Sequence, residues 1–317
     1  MLNFITAVWG DDFVDLFTDV ILKYHLSNNN LLYLRNKPCA FNIYTTELDF
    51  DKLRNHNNIT LLSKIIPLRI IKTNFYGESH ELLSKMHKQS IYELGYDSHL
   101  VFLSADTIWS DGTFKNIYNI INNNPNTKAI YSVTLRTNRE EFSKDLYHNN
   151  YILDSRTLVN LAFDYLHKTT LSLMWNPNPT NMWLSHLYWK INKDLIICKC
   201  FQYHPLVIYF DKPNLDFNST IDGDLLEKLE YDPIDYHFIQ DSDEFVGFEL
   251  SPKNRLIGNT ENIHTRDDVI NFVNKHMSKI KKYIFFDNIV YLHSENIPED
   301  LNIDNILDMC SYIRRRI

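Results

Sequence analysis

The sequence predicts an α/β fold in which a mixed sheet is flanked by helices, with a helical appendage at the C-terminal end. Short apolar runs alternate with amphipathic helical patterns through about the first 135 residues, and this alternation is typical of α/β sheets. Two further helical patterns, at residues 266–280 and 303–315, close the chain. With 317 residues, of which 44% are hydrophobic and 23% charged, the chain has the composition of a globular protein with a substantial core.

The first predicted elements are a buried strand and a helix. Residues 2–8 form a nearly continuous apolar run, which favours a strand buried on both faces. From residue 13 to residue 24, apolar side chains recur at helical spacing, and the asparagines at 28–30 end this helix. Two strand-like segments follow, at residues 31–34 and 41–45.

A second helix and strand lead to the most informative part of the sequence. Residues 81–94 have an apolar helical face, and Gly95 ends that helix. The apolar strand predicted at 99–103 runs into Ser104-Ala105-Asp106. Ligands of open α/β sheets bind beyond the carboxyl ends of strands, so Asp106 is the leading candidate for a functional residue. A helix at 114–121 and a strand at 129–133 complete this part.

The chain changes character after about residue 140. A helix at 155–167, a rigid proline-containing loop at 175–179 and a short aromatic helix at 182–190 are predicted first. Strands at 195–200 and 206–210 follow, and the acidic stretch from 211 to 249 predicts irregular structure.

The composition argues against two classes of function. A net charge of −8 at pH 7 disfavours a general nucleic-acid-binding protein, which needs a basic face to displace counterions. Only 7 glycines and 10 prolines occur, about 5% of the residues against a usual share of about 12%. A glycine-rich phosphate loop is difficult to build from so few glycines, so carboxylates, metal ions and arginines would have to bind any phosphate.

The four cysteines predict buried or half-buried, reduced thiols. Cys198 and Cys200 would lie on one face of a strand, and no second pair of Cys or His residues at metal-binding spacing accompanies them. Reduced cysteines fit a cytoplasmic protein, and Asp11, Asp12 and Asp15 interrupt any signal-peptide core. No apolar stretch approaches about 18 residues, so we expect no helix that spans a membrane.

Asp106 also suggests a metal ion. A carboxylate at the end of a buried strand, in a chain short of glycine, predicts a divalent cation held by oxygen ligands. Mg²⁺ or Mn²⁺ at this position would neutralise a diphosphate and help it to leave. In the alternative, Asp106 caps a turn and Asp111 caps the next helix.

Three N-terminal segments together resemble the nucleotide-sugar half of glycosyltransferases with the GT-A fold. They are FITAVWG at residues 4–10, IYTT at 43–46 and HLVFLSADTIWSDG at 99–112. HPL at 204–206 and TIDGD at 220–224 are similar to segments of uncharacterised bacterial members of that class. The resemblance implies a Rossmann-like GT-A sheet with three parts, namely a nucleotide-sugar-binding half at 1–140, an acceptor-side half of the same domain at 141–260 and C-terminal helices at 261–317.

The resemblance also implies a donor site. The base and ribose would contact the ends of the first two strands, at Thr6, Ala7, Val8, Thr45 and Thr46. The D-x-D metal motif of the class aligns with Ser104-Ala105-Asp106, and His204 is the later histidine that would complete the coordination of Mn²⁺ or Mg²⁺. In the alternative, His204 is a core residue whose hydrogen bonds are satisfied. Because serine replaces the first carboxylate, Asp106 either binds the metal alone or binds the donor sugar without a metal.

The carboxylates after residue 210 have two interpretations each. Asp222 and Asp224 offer a general base for the acceptor hydroxyl, or they form a turn before a helix. Asp241, Asp243 and Glu244 either bind a metal or the acceptor, or belong to a solvated loop.

Basic and aromatic residues leave alternatives open in the same way. Arg136 and Arg156 either clamp a phosphate or an acidic sugar through paired hydrogen bonds, or form surface ion pairs. The arginines at 314–316 either touch anionic lipid or are solvated. A group of aromatic residues offers a platform for sugar rings or belongs to the core, namely Trp175, Trp183, Tyr188 and Trp189.

With the resemblance, the sequence predicts a glycosyltransferase that moves a sugar from a nucleotide-sugar donor to a glycan or lipid-linked glycan acceptor in bacterial surface polysaccharide synthesis. We expect a cytoplasmic protein with at most peripheral contact at the inner face of the membrane and no nucleic-acid partner. The first alternative is a nucleotidyltransferase acting on a sugar phosphate, but such enzymes have a glycine-rich, basic loop where this chain has WGDDFVD. The others are a glycoside hydrolase and a catalytically inactive sugar- or protein-binding module.

Overall fold

The computed structural model describes residues 1–74, 77, 79–148, 152–175, 179–211, 217, 220–229 and 231–317. Its strands are β1 (Leu2–Ala7), β2 (Cys39–Thr46), β3 (Leu68–Thr73), β4 (Ser98–Ser104), β5 (Thr107–Trp109), β6 (Ala129–Ser132), β7 (Thr134–Asn138), β8 (His186–Lys190), β9 (Leu195–Cys200), β10 (His204–Phe210), β11 (Tyr236–Phe238), β12 (Gly247–Ser251) and β13 (Val290–His293). Its α-helices are α1 (Asp11–Leu16), α2 (Leu22–His25), α3 (Glu47–Arg54), α4 (Asn57–Ser63), α5 (Ser79–Leu94), α6 (Thr113–Asn123), α7 (Arg139–His148), α8 (Ser155–Asp164), α9 (Lys168–Leu171), α10 (Leu225–Leu229), α11 (Arg266–His276), α12 (Lys279–Asp287) and α13 (Asp304–Arg314). A π-helical segment, Phe17–Ile21, joins α1 to α2, and a short 3-10 helix, Pro233–Asp235, precedes β11.

The chain forms two compact units. Unit 1 consists mainly of Met1–Ser132 and His204–Phe238, and unit 2 consists of Val133–His148, Leu153–Tyr203 and Ile239–Ile317. The chain therefore leaves unit 1 after β6 and returns to it at β10. The predicted three-part division at residues 140 and 260 stays a prediction.

Unit 1 contains a mixed sheet of seven strands in the order β11-β6-β10-β4-β1-β2-β3. The four strands β4, β1, β2 and β3 are parallel, whereas β10 runs antiparallel to both of its neighbours. Strand β11 is parallel to β6 at the other edge. The predicted α/β class, with a mixed sheet flanked by helices, is confirmed.

Helices cover both faces of this sheet. Successive side chains of a strand point in opposite directions, so each strand contributes to the packing on both faces. On one face, Ile5 and Ala7 of β1 share a hydrophobic cluster with residues of α5 and α10. On the other face, the ring of Phe4 stacks on Phe41 with centroids 5.9 Å apart, and it tilts against Phe114 of α6 at 5.0 Å. The near-continuous apolar sequence of β1 is explained by this burial on both sides.

Unit 2 is built around a second sheet. Its antiparallel strands lie in the order β13-β9-β8. The helices α11, α12 and α13 pack on one face of this sheet, where the ring of Phe201 stacks on Phe285 with centroids 3.8 Å apart. The parallel pair β7 and β12 also belongs to unit 2. Among the described residues, no helix is both long enough and apolar enough to cross a membrane.

Most elements predicted for the first 135 residues are present. The predicted strands correspond to β1, β2, β4 and β6, and the predicted helices to α1–α2, α5 and α6. The strands predicted at 195–200 and 206–210 are confirmed as β9 and β10. The two C-terminal helical patterns are confirmed as α11 and α13. Cys198 and Cys200 lie on β9 and are both buried, as predicted.

The strand predicted at residues 31–34 is wrong, because this segment forms consecutive turns. Backbone hydrogen bonds run from Asn30 N to Ser27 O and from Leu34 N to Leu31 O, both at 3.1 Å. Leu31 and Leu34 are fully buried, whereas Leu32 is 37% exposed. Inward side chains three residues apart suit turns, whereas a strand alternates at every second residue.

The aromatic helix predicted at 182–190 is also wrong, because His186–Lys190 forms strand β8. Leu187 and Trp189 point into the core shared with the C-terminal helices, and this two-residue spacing belongs to a strand. The stretch predicted as irregular, 211–249, contains α10, β11 and the start of β12. Of the predicted proline loop at 175–179, residues 176–178 lie outside the described residues.

Candidate functional site

The carboxyl edge of the parallel strands in unit 1 contains a topological switch point. Because the strand order is β3-β2-β1-β4, the chain crosses to one side of β1 for β2 and β3 and to the other side for β4. Ala7 and Ser104, at the carboxyl ends of β1 and β4, are directly paired. Ligands of open α/β sheets bind beyond the strand ends at such a point, so this edge is the candidate binding site of unit 1.

Most side chains predicted to contact a nucleotide are shielded from solvent at this edge. Thr6, Val8 and Thr45 are at most 1% exposed, and Ala7 is 7% exposed. Within the described part of the chain, the hydroxyls of Thr6 and Thr45 have no hydrogen-bond partner. Thr46, the last residue of β2, is half-buried and reaches the surface. The contacts predicted for the buried four would have to come largely from backbone atoms, and they stay a prediction.

Asp49 organises the two loops that border the switch point, and it was missed in the sequence. Its Oδ2 accepts hydrogen bonds from Gly10 N at 3.0 Å and from Thr46 Oγ1 at 2.6 Å. Gly10 has a φ of 80°, in the left-handed region that favours glycine. One carboxylate therefore joins the loop after β1 to the end of β2. The signal was available, since Thr46 and Asp49 have the T-x-x-D spacing of a helix start.

We expect Asp49→Ala to lower the free energy of unfolding by about 2 kcal/mol, because two hydrogen bonds to a charged group are lost. Urea unfolding at pH 7 measures the change. The matched control is Asp51→Ala, an exposed aspartate on the same helix, which should cost less than about 0.5 kcal/mol. Equal stability of the two variants would contradict the anchoring role of Asp49.

Ser104, Ala105 and Asp106 leave the sheet at the switch point. Ser104 is exposed, Ala105 is buried and Asp106 is half-buried. The serine hydroxyl and the aspartate carboxylate therefore both reach the surface, on either side of a buried residue. Two oxygen atoms of this kind fit Mg²⁺ or Mn²⁺, which prefer oxygen ligands.

His204 and Asp222, which were singled out for different reasons, share a neighbour that was missed. His204 Nε2 lies 3.1 Å from the backbone oxygen of Phe102, which only accepts, so Nε2 carries a proton. The missed residue, His87 of α5, packs edge-on against the Phe102 ring with centroids 5.2 Å apart. Burial lowers the pKa of His87 to about 4, and the Asp222 carboxylate opposes this shift while His204 adds to it. The charges of both predicted residues thus act on one buried imidazole.

The position of His87 has a signal in the sequence. It lies four residues from both Leu83 and Ile91, so it belongs to the apolar face of α5. A histidine at such a position is expected to be buried, and the polar residues around it are then candidates for the functional site.

Asp222 and Asp224 lie in the turn before α10 and are both half-buried. The hydroxyl of Thr220 donates a hydrogen bond to Asp222 Oδ1, and Gly223 N donates one to the Thr220 backbone oxygen at 2.9 Å. The turn and the following helix that the alternative interpretation predicts are therefore present. A role of either carboxylate as general base stays a prediction.

Both candidate arginines lie in unit 2 and have acidic partners. Arg136 is paired with Glu249 across β7 and β12, and its guanidinium binds the Glu249 carboxylate and the Ser251 hydroxyl. Arg156 binds both carboxylate oxygens of Asp243, at 2.8 and 2.7 Å. The ion-pair interpretation is therefore observed for each, and binding of a phosphate stays a prediction.

The acidic DSDE segment meets a histidine that was missed. Ligand atoms of Asp241, Asp243 and His293 all lie within 4.8 Å of one another. His293 Nε2 is 2.8 Å from Asp241 Oδ1. Among the described residues, the predicted metal ligands Asp106 and His204 do not belong to a group of three such side chains. His293 lies 52 positions from Asp241, so local sequence reasoning had no signal for it.

The aromatic residues divide between core and surface. Tyr188 and Trp189 of β8 are 3% and 6% exposed and belong to the core. Trp183 is 47% exposed and packs edge-on against Phe272, with centroids 5.0 Å apart. A sugar-binding platform made of all four aromatic residues is therefore not present, and Trp183 is the exposed member.

No protein-family model matches the sequence, and no curated protein matches it. Solved structures similar to part of the chain include TarS of S. aureus, with 10% identity and a TM-score of 0.29 over 43% of this chain and 22% of that chain. Another is a putative glucose-1-phosphate thymidylyltransferase from Bacillus anthracis, with 14% identity and a TM-score of 0.27 over 44% and 57% of the two chains. A third is the mannosyltransferase PcManGT from Pyrobaculum calidifontis in complex with GDP-Man and Mn²⁺, with 12% identity and a TM-score of 0.29 over 46% and 37%. The chain spans less than two thirds of each, and a similarity at this level carries no information about substrate.

Proposed function

We propose that the protein is a glycosyltransferase that transfers a sugar from a nucleotide-sugar donor to a glycan or lipid-linked glycan acceptor. The observation that carries this proposal is the pairing of Ala7 with Ser104 at the switch point of the sheet, with Asp106 two residues beyond. The GT-A resemblance of the segments at 4–10, 43–46 and 99–112 independently implies a donor at this edge. Within this proposal, bacterial surface polysaccharide is the expected product.

The chemical requirement of such a reaction is the departure of a nucleoside diphosphate. Mn²⁺ or Mg²⁺ supplies charge neutralisation for that leaving group when bound. Asp106, with the Ser104 hydroxyl, would hold the cation and so orient the diphosphate at the strand ends. His204 would contribute Nδ1, because Nε2 donates to the Phe102 carbonyl.

Asp222 or Asp224 would accept the proton of the acceptor hydroxyl. His87 is neutral at pH 7, because burial lowers its pKa to about 4. It therefore does not neutralise the Asp222 carboxylate by forming an ion pair with it.

We expect Asp106→Asn to weaken Mn²⁺-dependent donor binding about tenfold or more, because an amide lacks the charge that holds the cation. Calorimetric titration with UDP-, GDP- and CMP-sugars, with and without Mn²⁺, measures the Kd. The matched control is Asp97→Asn, just before the amino end of β4, where the φ of 50° is one that asparagine tolerates. This variant should bind the donor like the wild type.

The outcomes separate the alternatives. If none of these donors binds the wild-type protein, the proposed function is wrong. If a donor binds equally well to Asp106→Asn, the donor site lies elsewhere in the chain. Release of a nucleoside diphosphate from the donor identifies sugar transfer, whereas release of pyrophosphate from a nucleoside triphosphate identifies nucleotidyl transfer.

A further inference from the structure

Asp241, Asp243 and His293 form a cluster in unit 2 that the reaction described above does not use; we call it the Asp–His cluster. The backbone holds the two parts of the cluster together. Ser242 N donates a hydrogen bond to the Tyr291 backbone oxygen at 2.9 Å, and His293 N donates one to Ser242 Oγ at 3.0 Å. The segment that carries the aspartates is therefore fixed along β13, which ends at His293.

The hydrogen bonds of His293 determine which ring nitrogen carries its proton. Nδ1 lies 2.7 Å from the backbone oxygen of Glu295, and a carbonyl oxygen only accepts, so Nδ1 carries the hydrogen and donates it. Nε2 faces Asp241 Oδ1 at 2.8 Å, and this carboxylate oxygen also only accepts. Nε2 is therefore the ring nitrogen that faces the carboxylates, and it is the one that could bind a cation.

Arg156 is the basic residue that contacts the cluster. Its guanidinium donates hydrogen bonds to both carboxylate oxygens of Asp243, at 2.8 and 2.7 Å, and a further one to Asn296 Oδ1 at 2.8 Å. The guanidinium therefore holds the Asp243 carboxylate in place beside Asp241 and His293.

The exposure of the cluster gives an ion a route to it. The side chain of His293 is 3% exposed, whereas that of Asp241 is 44% exposed. The side chain of Asp243 is likewise 44% exposed. The imidazole is thus buried, whereas the two carboxylates reach solvent.

We propose that the Asp–His cluster binds one divalent first-row transition-metal ion, Zn²⁺ or Mn²⁺, through Asp241, Asp243 and His293 Nε2. One imidazole and two carboxylates suit these ions, whereas Mg²⁺ and Ca²⁺ prefer oxygen ligands alone. The hydrogen bond from Nδ1 to the Glu295 carbonyl is the contact that metal-binding histidines make with their other ring nitrogen. Each carboxylate oxygen of Asp243 keeps a second lone pair beside its bond to Arg156. The ligands all lie in unit 2, so this proposal does not depend on the proposed function.

Calorimetric titration of the EDTA-treated protein with Zn²⁺, Mn²⁺ and Mg²⁺ tests the proposal. We expect one equivalent of Zn²⁺ or Mn²⁺ to bind, and Asp241→Asn and Asp243→Asn to weaken that binding about tenfold or more. The matched control is Asp308→Asn, which removes the Asp308–Arg266 pair, of similar exposure to Asp243–Arg156 and at the same distance of 2.7 Å. It should bind the ion like the wild type. No saturable binding, or equal binding by all the variants, would overturn the proposal.

A second measurement reports on the imidazole without removing it, because replacement of the buried His293 risks unfolding unit 2. In ¹H–¹⁵N spectra of the histidine rings, Mn²⁺ broadens signals close to the ion. We expect the His293 signal to disappear on addition of one equivalent of Mn²⁺ to the wild-type protein and to persist in Asp241→Asn. A His293 signal that persists in the wild type at saturating Mn²⁺ would contradict binding at this cluster.

Discussion

Acid should destabilise unit 1 by several kcal/mol, well before its carboxylates are protonated. Burial lowers the pKa of His25 to about 3 and that of His87 to about 4. An imidazole in the unfolded chain has a pKa of about 6.5. Below that value the unfolded chain binds two protons that the folded chain does not, so the folded state loses stability as the pH falls toward 4. Above pH 6.5 the contribution is fully present.

The magnitude follows from the two shifts. Each histidine contributes about 1.4 kcal/mol per pH unit in this window, so the free energy of unfolding should fall by about 4 kcal/mol between pH 7 and pH 5. Urea unfolding at the two pH values measures it. In His25→Gln, which cannot titrate, we expect about half of the acid-induced loss to disappear.

The matched control for this prediction is an exposed histidine of unit 1. His80 lies in the first turn of α5 and is exposed to solvent, so His80→Gln should retain the full acid-induced loss. An equal loss in wild type and in His25→Gln would contradict the contribution of the buried imidazole.

Replacement of Asn30 by alanine should lower the free energy of unfolding of unit 1 by about 3–5 kcal/mol. Asn30 is fully buried, and its Oδ1 accepts a hydrogen bond from Phe114 N at 2.9 Å, in the first turn of α6. Its Nδ2 donates to the backbone oxygens of Tyr24 at 3.2 Å and Ser110 at 3.1 Å. Gly112, the N-cap of α6, offers no side chain for this purpose. A residue 84 positions away therefore caps the helix, and its loss leaves a buried N–H unsatisfied.

A control variant and a second substitution of Asn30 test the capping role further. Asn28→Ala changes an exposed asparagine of the same run and should cost less than about 0.5 kcal/mol. Asn30→Asp keeps the acceptor for Phe114 N but turns a buried negative oxygen toward two carbonyls, so we expect it to be at least as destabilising as Asn30→Ala. Urea unfolding measures all three, and a loss below about 1 kcal/mol in Asn30→Ala would contradict the capping role.

The elements at the carboxyl edge of β1 and β4 could be predicted from local sequence, but their arrangement could not. The apolar runs at β1 and β4 and the acidic residue after β4 are visible in any window of a few residues. The pairing of Ala7 with Ser104 depends on which strands become neighbours, and residues far apart in the chain decide it. Asp106 was therefore singled out correctly as a strand-end residue, whereas its neighbours across the sheet came only from the structure.

The errors have a common physical cause. In residues 31–34 and 182–190, apolar and aromatic side chains fitted more than one period over a short window. Packing then decided between the possibilities, and Leu187 and Trp189 point inward as strand residues because α11, α12 and α13 cover that face of the sheet. His293 shows the same limit for the site, since the isolated bridge between Asp241 and Tyr291 brings it to Asp241.

The position of β10 determines the order in which unit 1 can assemble during synthesis. This strand lies between β4 and β6, yet it emerges from the ribosome roughly 70 residues after β6. Until then, β4 presents one unpaired edge and β6, whose partners β10 and β11 both come later, presents two, and such edges are templates for intermolecular pairing. A nascent chain that stalls before His204 therefore exposes three aggregation-prone edges on these two strands, and β6 joins the sheet only when the inner strand β10 is available.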